Sequence, residues 1–403
     1  MFASPPHVTL WVDMLNIATL KPQINEMVER QADFMDEFIR KLDTALKELN
    51  DRSDDWEKLS NKVEKSKTSW LVAGVDSPPN TAYPLPPRPS DFTVIASDGS
   101  QIFPDRHETL PCYLINTGSV LIRYGSHARA LLKSLPEFFY TEEDRFTAWD
   151  GRRVPVNTEV ISMRRTMMEM EEILRLAREC GGKESVLALV DGTLILWTLE
   201  GKPADFRDRI MEEFVGFLDD IRAMSIPIAG YISYPGSTDV VNALRVGLCP
   251  EEVSLCNQCP YTHLDSLPCQ PVEGVTDRAL FSRVLKEGER SAVFRSSSKI
   301  LQRYGPHAVC FFYLNTGAEV VRVEVPAWLA DDPALIDRTH TLIYDQAKKG
   351  GGYPVVLMEA HEQAVVRGRD RDFFFELVRE ALVKSDFKVR VSRKAVSKRR
   401  PVV

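Results

Sequence analysis

The sequence predicts a mixed α/β fold, in which helices flank a β-sheet and a helical extension precedes the sheet. Two apolar runs, at 92–97 and 186–190, are typical of buried strands, and an Asp-Gly pair follows each. A stretch with helical periodicity, 160–179, precedes the second run and ends before two glycines. Because strands and helices follow one another without a regular repeat, we expect a mixed rather than a fully parallel sheet.

Apolar spacing predicts the remaining elements. We expect further helices over 21–73, 205–224, 277–290, 335–349 and 372–384. We expect further strands over 226–233, 308–315 and 318–325, a strand–turn–strand at 110–124 with its turn at 116–118, and a short strand between Tyr353 and His361. The first helical stretch is compatible with a coiled-coil arm, a docking helix pair or an amphipathic helix packed on its own domain.

The composition is that of an ordinary globular protein with one large or two ordinary domains. Hydrophobic residues make up 44% and charged residues 27% of the 403 residues. No apolar run approaches the roughly 20 residues that span a bilayer, and the N-terminus does not resemble a secretory signal. We therefore expect a cytoplasmic location and no membrane contact. The chain divides into an N-terminal helical region (1–76), a proline-rich connector (77–90) and a main domain (91–403), with a cysteine-containing insertion at about 249–270.

A basic C-terminal tail is the candidate contact for nucleic acid. The net charge of −7 argues against a surface coated in basic residues, but local patches decide nucleic-acid binding. The tail residues that we assign to this role are Arg393, Lys394, Lys398 and Arg399. The alternative is a solvated chain end without a ligand.

Asp98 and Asp191 are the most informative residues. Each lies at the end of an apolar run and is followed by Gly and then a hydroxyl residue. Asp-Gly is a common turn signal, but a carboxylate at the end of a buried strand is costly to desolvate unless a cation is near. Two matched copies suggest one shared cation site and metal-assisted chemistry.

Other ionisable residues could complete such a site. The helix at 160–179 carries Glu169 and Glu171 beside its apolar stripe, and Glu172 is expected to face water. Tyr353 and His361 lie at the two ends of a later apolar run. Carboxylates and an imidazole together suit Mn²⁺ or Mg²⁺.

The seven cysteines are expected to be thiols or metal ligands, because an odd number in a cytoplasmic chain argues against disulfides. Cys249, Cys256, Cys259 and Cys269 form a cluster that contains one CxxC. Structural Zn²⁺, an iron–sulfur cluster and unliganded loop cysteines are the alternatives.

The order of these motifs over about 90–400 resembles the NurA nucleases. The stretches that carry the resemblance are Asp98-Gly99-Ser100, a helix glutamate, Asp191-Gly192-Thr193-Leu194, Tyr353-Pro354, Ala360-His361, Gly230-Tyr231-Ile232-Ser233, Pro235-Gly236-Ser237, Asp277-Arg278, Gly288-Glu289-Arg290-Ser291 and Ser392-Arg393-Lys394. The resemblance implies a ribonuclease-H-like core. It also implies a nuclease acting on DNA ends, as a 5′-end-resecting exonuclease and single-strand endonuclease in double-strand break repair, as a homodimer with a HerA-type hexameric ATPase and translocase.

The resemblance also implies roles for single residues. The family's motif residues fall on Asp98, Asp191, Tyr353 and His361, and its glutamate falls on Glu169, with Glu171 as the alternative. Asp98, Asp191, Glu169 and His361 would bind Mn²⁺ or Mg²⁺, two ions per active site, and Tyr353 would orient a phosphate or the attacking water. Two rival functions are a non-catalytic adaptor that docks on a ring motor through its N-terminal helix, and a nuclease acting on RNA.

Overall fold

The computed structural model describes residues 16–105, 108, 110–181 and 185–385 of the chain. Its helices are α1 (Ile17–Ser53), α2 (Trp56–Lys65), α3 (Thr158–Cys180), α4 (Ala204–Ala223), α5 (Asp239–Leu248), α6 (Asp277–Phe281), α7 (Ala327–Ala330), α8 (Pro333–Lys349), α9 (Val355–Ala364) and α10 (Gly368–Lys384). Its strands are β1 (Gly74–Val75), β2 (Ala82–Tyr83), β3 (Phe92–Ile102), β4 (Tyr113–Tyr124), β5 (Arg129–Phe139), β6 (Phe146–Trp149), β7 (Arg152–Pro155), β8 (Ser185–Asp191), β9 (Ile228–Ile232), β10 (Arg290–Ser291), β11 (Phe294–Arg295), β12 (Val309–Asn315) and β13 (Val320–Pro326).

One mixed sheet organises the fold, and β6 and β7 form a separate hairpin. The strand order is β1-β11-β12-β13-β9-β8-β3-β4-β5. Outside this order, β10 pairs with both β12 and β2. β3, β4 and β5 are successive antiparallel neighbours, whereas β8 runs parallel to both β3 and β9. This topology confirms the predicted mixed, ribonuclease-H-like sheet. It also brings the carboxyl ends of β3, β8 and β9 to one side of the sheet.

Strand β4 is continuous, so the prediction of a turn at 116–118 is wrong. These residues stay in register with β3 throughout. The Asn116 amide donates to the carbonyl of Ala364 at 2.8 Å, and a Cβ on Gly118 would lie only 2.1 Å from the carbonyl oxygen of Ala360. The residues that suggested a turn instead allow helix α9 to pack closely against the sheet.

Helices cover both faces of the sheet. α3 and α4 pack on one face in a cluster that includes Met167, Leu174 and Phe214, and α8 and α9 pack on the other. α3 begins where the Asn157 side chain accepts the Val160 N–H at 2.9 Å, and it ends at a left-handed glycine. Because α3 crosses β3 and β4, its polar edge can reach the strand ends.

The segment after Tyr353 is helix α9, so the prediction of a short strand there is wrong. Its buried residues recur at helical spacing, at Val356, Leu357, Ala360 and Ala364. A short apolar run is ambiguous between strand and helix when only its composition is considered. His361 therefore projects from a helix that packs against β3 and β4.

The predicted helix over 277–290 is also shorter than expected. It is limited to α6, and the chain then turns before Arg290 enters β10. The Asp277 carboxylate is buried and accepts the backbone N–H groups of Val240 and Val241 at 3.1 and 2.8 Å. This contact ties the short helix α6 to the start of α5.

The N-terminal helices pack in part on the rest of the chain. Leu42, Ala45 and Leu49 of α1 share a buried cluster with Leu244 of α5 and Phe281 of α6. The first half of α1 instead carries exposed apolar residues. The domain boundaries at 76 and 90 stay a prediction. Within the described part of the chain, no helix is both long and apolar enough to cross a membrane.

Candidate active site

Five predicted site residues meet at one edge of the sheet, although they are far apart in sequence. Asp98 lies on β3 and Asp191 is the last residue of the neighbouring parallel strand β8. Glu169 reaches this edge from α3. Tyr353 lies just before α9, and His361 lies within α9. The parallel register pairs Ser97 with Val190, so the two aspartates follow side by side where the pairing of β3 with β8 ends.

Asp98 is held by two donors. Its Oδ2 lies 2.9 Å from Nδ1 of His361, and its Oδ1 accepts the Gly99 N–H at 2.8 Å. The His361 side chain is 62% exposed, so the imidazole is open to solvent on its other side. Gly99 continues strand β3, whereas Gly192 after Asp191 has φ +96° and does form a turn. The two Asp-Gly pairs therefore differ in structure.

Glu169 is the glutamate at this site. Its Oε1 lies 3.1 Å from Nε of Arg165, and a Cβ on Gly99 would lie 2.5 Å from the same oxygen. Burial, together with the charges of Asp98 and Asp191, raises the pKa of Glu169 to about 8, although Arg165 opposes this shift. Glu171 is exposed on another side of α3. The absence of a Cβ at position 99 allows α3 this close approach.

Asp191 and Tyr353 form the second half of the site. The Tyr353 hydroxyl donates a hydrogen bond to the Asp191 carboxylate. Partial burial and then the charge of Asp98 raise the pKa of Asp191. Burial and the nearby Asp191 raise the pKa of Tyr353 far above its ordinary value, so its hydroxyl stays protonated at neutral pH. The Tyr353 ring packs edge-on against Tyr231, 5.4 Å between centroids, which fixes its direction.

Two supporting residues were missed in the sequence. Arg165 lies one helical turn before Glu169, and that spacing of opposite charges was the available signal. Glu324 of β13 accepts the Thr193 hydroxyl at 2.7 Å and the Leu194 N–H at 3.0 Å, which holds the turn after Asp191. Its distance in sequence left no local signal. Thr193 thus has a supporting role in this turn.

The donor set fits divalent cations that prefer oxygen ligands. Three carboxylates and one imidazole lie together, and mutual repulsion contributes to the raised pKa values of Glu169 and Asp191. Among the described residues, no group of three or more His, Cys, Asp and Glu side chains is already arranged to hold a metal. Here each carboxylate contacts a protein partner instead: His361, Arg165 or Tyr353.

Other predicted residues lie away from this site. Glu172, expected to face water, is buried and binds Arg175 through both carboxylate oxygens at 2.7 and 2.8 Å. The cysteines Cys249, Cys256, Cys259 and Cys269 are free thiols that border one small cavity of about 40 Å³. They too form no arrangement ready to hold a metal, so the structural Zn²⁺ or iron–sulfur cluster gains no support and stays a prediction. Arg393, Lys394, Lys398 and Arg399 lie outside the described residues.

A ribonuclease-H-like sheet with clustered carboxylates on adjacent strands defines an acidic centre suited to phosphodiester hydrolysis. The family model of the NurA domain matches residues 92–366, more than half of the chain. The chain therefore belongs to the NurA family, and this membership implies a nuclease-type role in DNA end processing.

Solved structures show more distant similarity. A crystal structure of NurA with manganese is 11% identical and covers 87% of this chain and 100% of its own, with a TM-score of 0.30. A crystal structure of the prototype foamy virus protease–reverse transcriptase is 15% identical over 36% of this chain, with a TM-score of 0.22. This chain covers only 18% of the viral protein. No curated protein matches the chain.

Proposed function

We propose that this protein is a metal-dependent DNA nuclease whose active site comprises Asp98, Glu169, Asp191, Tyr353 and His361. The observation that carries the proposal is the convergence of three carboxylates from β3, α3 and β8 at one sheet edge. Mn²⁺ or Mg²⁺, two ions per site, would be held by Asp98, Asp191, Glu169 and His361. The relative crystallised with manganese supports this choice of metal.

In this proposal the aspartates supply negative charge for the metal ions, and Tyr353 supplies orientation. When bound, divalent cations supply an activated water and stabilise charge on the departing oxygen. Asp98 and Asp191 face each other closely enough for one charge to raise the other's pKa, so both can serve the same ions. Tyr353 stays protonated and donates a hydrogen bond, which suits it to orient a phosphate oxygen or the attacking water, not to act as a base.

The finer activity rests on the family. We propose 5′-end resection and single-strand endonuclease activity in double-strand break repair, in the cytoplasm, by a homodimer acting with a HerA-type hexameric ATPase. The basic tail with Arg393, Lys394, Lys398 and Arg399 would add contacts to DNA, and its replacement would weaken binding and flatten the salt dependence of that binding.

The test is a cleavage assay on linear DNA with Mn²⁺. Asp98→Ala, Asp191→Ala and Glu169→Gln should each lower the cleavage rate by about a hundredfold or more, because each removes a carboxylate ligand from the metal site. Glu171→Gln is the matched control on the same helix, and it should cut like the wild type. If Asp98→Ala cuts as fast as the wild type, the site assignment is wrong.

The same assay separates the rival functions. An adaptor would show no metal-dependent cleavage of any nucleic acid and would still bind a ring translocase. A ribonuclease would cleave RNA oligonucleotides faster than DNA of the same sequence. A panel of matched DNA and RNA substrates, single-stranded and duplex, distinguishes these outcomes.

A further inference from the structure

Tyr234, in the segment after strand β9, is displayed to solvent in an unusual way. Its side chain is 70% exposed and its backbone has φ +48°, a left-handed conformation that is rare for a bulky residue. Such a conformation persists only where surrounding contacts enforce it, and it is concentrated at functional sites. The contacts that enforce it are therefore informative.

Glu319 and Arg278 hold Tyr234 in place. The Glu319 carboxylate accepts the Tyr234 N–H at 2.8 Å and the Ser233 hydroxyl at 2.6 Å. The guanidinium of Arg278 lies over the Tyr234 ring, with its carbon 3.7 Å from the ring centroid. The buried Nε of Arg278 has no hydrogen-bond partner among the described residues. The result is a fixed, flat aromatic surface with a cation beneath it.

This surface lies in a cleft that also reaches Tyr353 of the candidate active site. Tyr234 and Arg278 line an open cleft of about 680 Å³ together with Tyr353, whose hydroxyl binds Asp191. The cleft wall also includes the glycine run 350–352, which has no side chains to fill it. A strand bound beside Tyr353, whose hydroxyl contacts Asp191, therefore has this cleft as a path to Tyr234.

We propose that Tyr234, supported by Arg278, is a stacking platform for an unpaired nucleobase of the strand being cut. A base inside a duplex is already stacked between its neighbours, so a side-chain platform selects a single-stranded segment. Every base has an aromatic face, so the platform is tolerant of sequence. The cation of Arg278 lies where it attracts the adjoining phosphates. The inference rests on the proposed nuclease function and adds the residues that would hold an unpaired strand beside the site.

The test measures binding and cleavage separately. Binding of a single-stranded DNA oligonucleotide carrying 2-aminopurine is followed without added divalent metal, and a position scan locates the base that stacks on Tyr234. Stacking on Tyr234 should quench the fluorescence of 2-aminopurine at that position. Tyr234→Ala should abolish this quenching, weaken single-strand affinity and raise KM about tenfold. It should leave kcat unchanged. Tyr234→Phe and Tyr234→Trp should restore the affinity, the KM and the quenching. Blunt duplex binding should not change.

Two further variants keep the test decisive. Tyr140→Ala removes another exposed tyrosine, remote in the fold on the β5 side, and should behave like the wild type. Arg278→Gln keeps Tyr234 and should lower the dependence of log Kd on log salt by about 0.7 for single strands, which tests the platform even if Tyr234→Ala folds poorly. Unchanged affinity, KM and quenching in Tyr234→Ala would overturn the inference. The inference would also be overturned if Tyr234→Ala lost binding to a partner protein but kept its binding to single-stranded DNA.

The outcome is separable from that of the proposed function. If the wild type cuts DNA and Tyr234→Ala retains its KM, the platform is wrong and the nuclease stands. If no protein cuts but single strands still stack on Tyr234, the platform stands and the nuclease is wrong. If the wild type binds no single-stranded DNA, the platform is wrong.

Discussion

His361 Nδ1 lies 2.9 Å from Asp98 Oδ2, although 263 residues separate them in the sequence. The contact joins helix α9 to strand β3 and closes the acidic site on one side. His361 is mostly exposed and Asp98 mostly covered, so the pair presents its imidazole to the solvent side of the site. A group in this position can exchange its carboxylate partner for a metal ion at little structural cost.

His361→Ala should lower kcat/KM for DNA cleavage by about a hundredfold while leaving the folded protein intact. The reason is that an exposed imidazole contributes little packing, but it is the only nitrogen donor among the five site residues. Cleavage as a function of Mn²⁺ concentration and a thermal unfolding curve are the measurements. A large fall in melting temperature would show that His361 acts structurally and would contradict the assignment.

Tyr353→Phe should reduce kcat by about ten- to a hundredfold with little effect on stability. The substitution removes only the hydroxyl that binds Asp191 and keeps the ring that packs against Tyr231. The pH–rate profile should keep its shape, because Tyr353 stays protonated and does not act as the base. A lost limb in that profile would instead indicate that the phenol titrates during the reaction.

The acidic pair was predictable because it depends on strand order. Apolar runs ending in Asp98 and Asp191 are visible in the sequence, and their convergence requires only that the two strands be parallel neighbours. The glutamate was harder to assign, because a helix angle alone does not tell Glu169 from Glu171. The close approach of Glu169 to Gly99 favours Glu169, and this is a tertiary contact.

The elements that failed were those in which tertiary contacts override local signals. Asn116 and Gly118 favour a turn locally, but packing of α9 keeps them in a strand. β5 was missed because its side chains are largely exposed and it contains Pro136, a residue that argues against a strand in the sequence. Tyr234 has no sequence signal at all, since its backbone angle becomes visible only in the fold.

Gly118→Ala should destabilise the protein by at least about 2 kcal/mol and abolish cleavage, because the added Cβ would press on the Ala360 carbonyl and displace α9 with His361. Gly216→Ala is the matched control on the exposed face of α4, where a Cβ meets no atom within 4 Å. That change should stabilise the helix by about 0.5–1 kcal/mol. Urea unfolding and the cleavage assay measure both. Equal stability of the two variants would contradict the close packing of α9.

His340 should make the protein sensitive to mild acid. It is buried on α8, where Nε2 donates to the Gly288 carbonyl at 2.8 Å, and burial lowers its pKa to about 4 from 6.5. Between these two pH values the unfolded chain binds a proton that the folded protein does not, so stability falls as pH falls. The loss should approach about 3 kcal/mol by pH 4. His340→Gln keeps a hydrogen-bond donor, and urea unfolding curves of this variant should lack this acid-induced loss of stability. His127→Gln, at an exposed site, is the control and should show the same loss as the wild type.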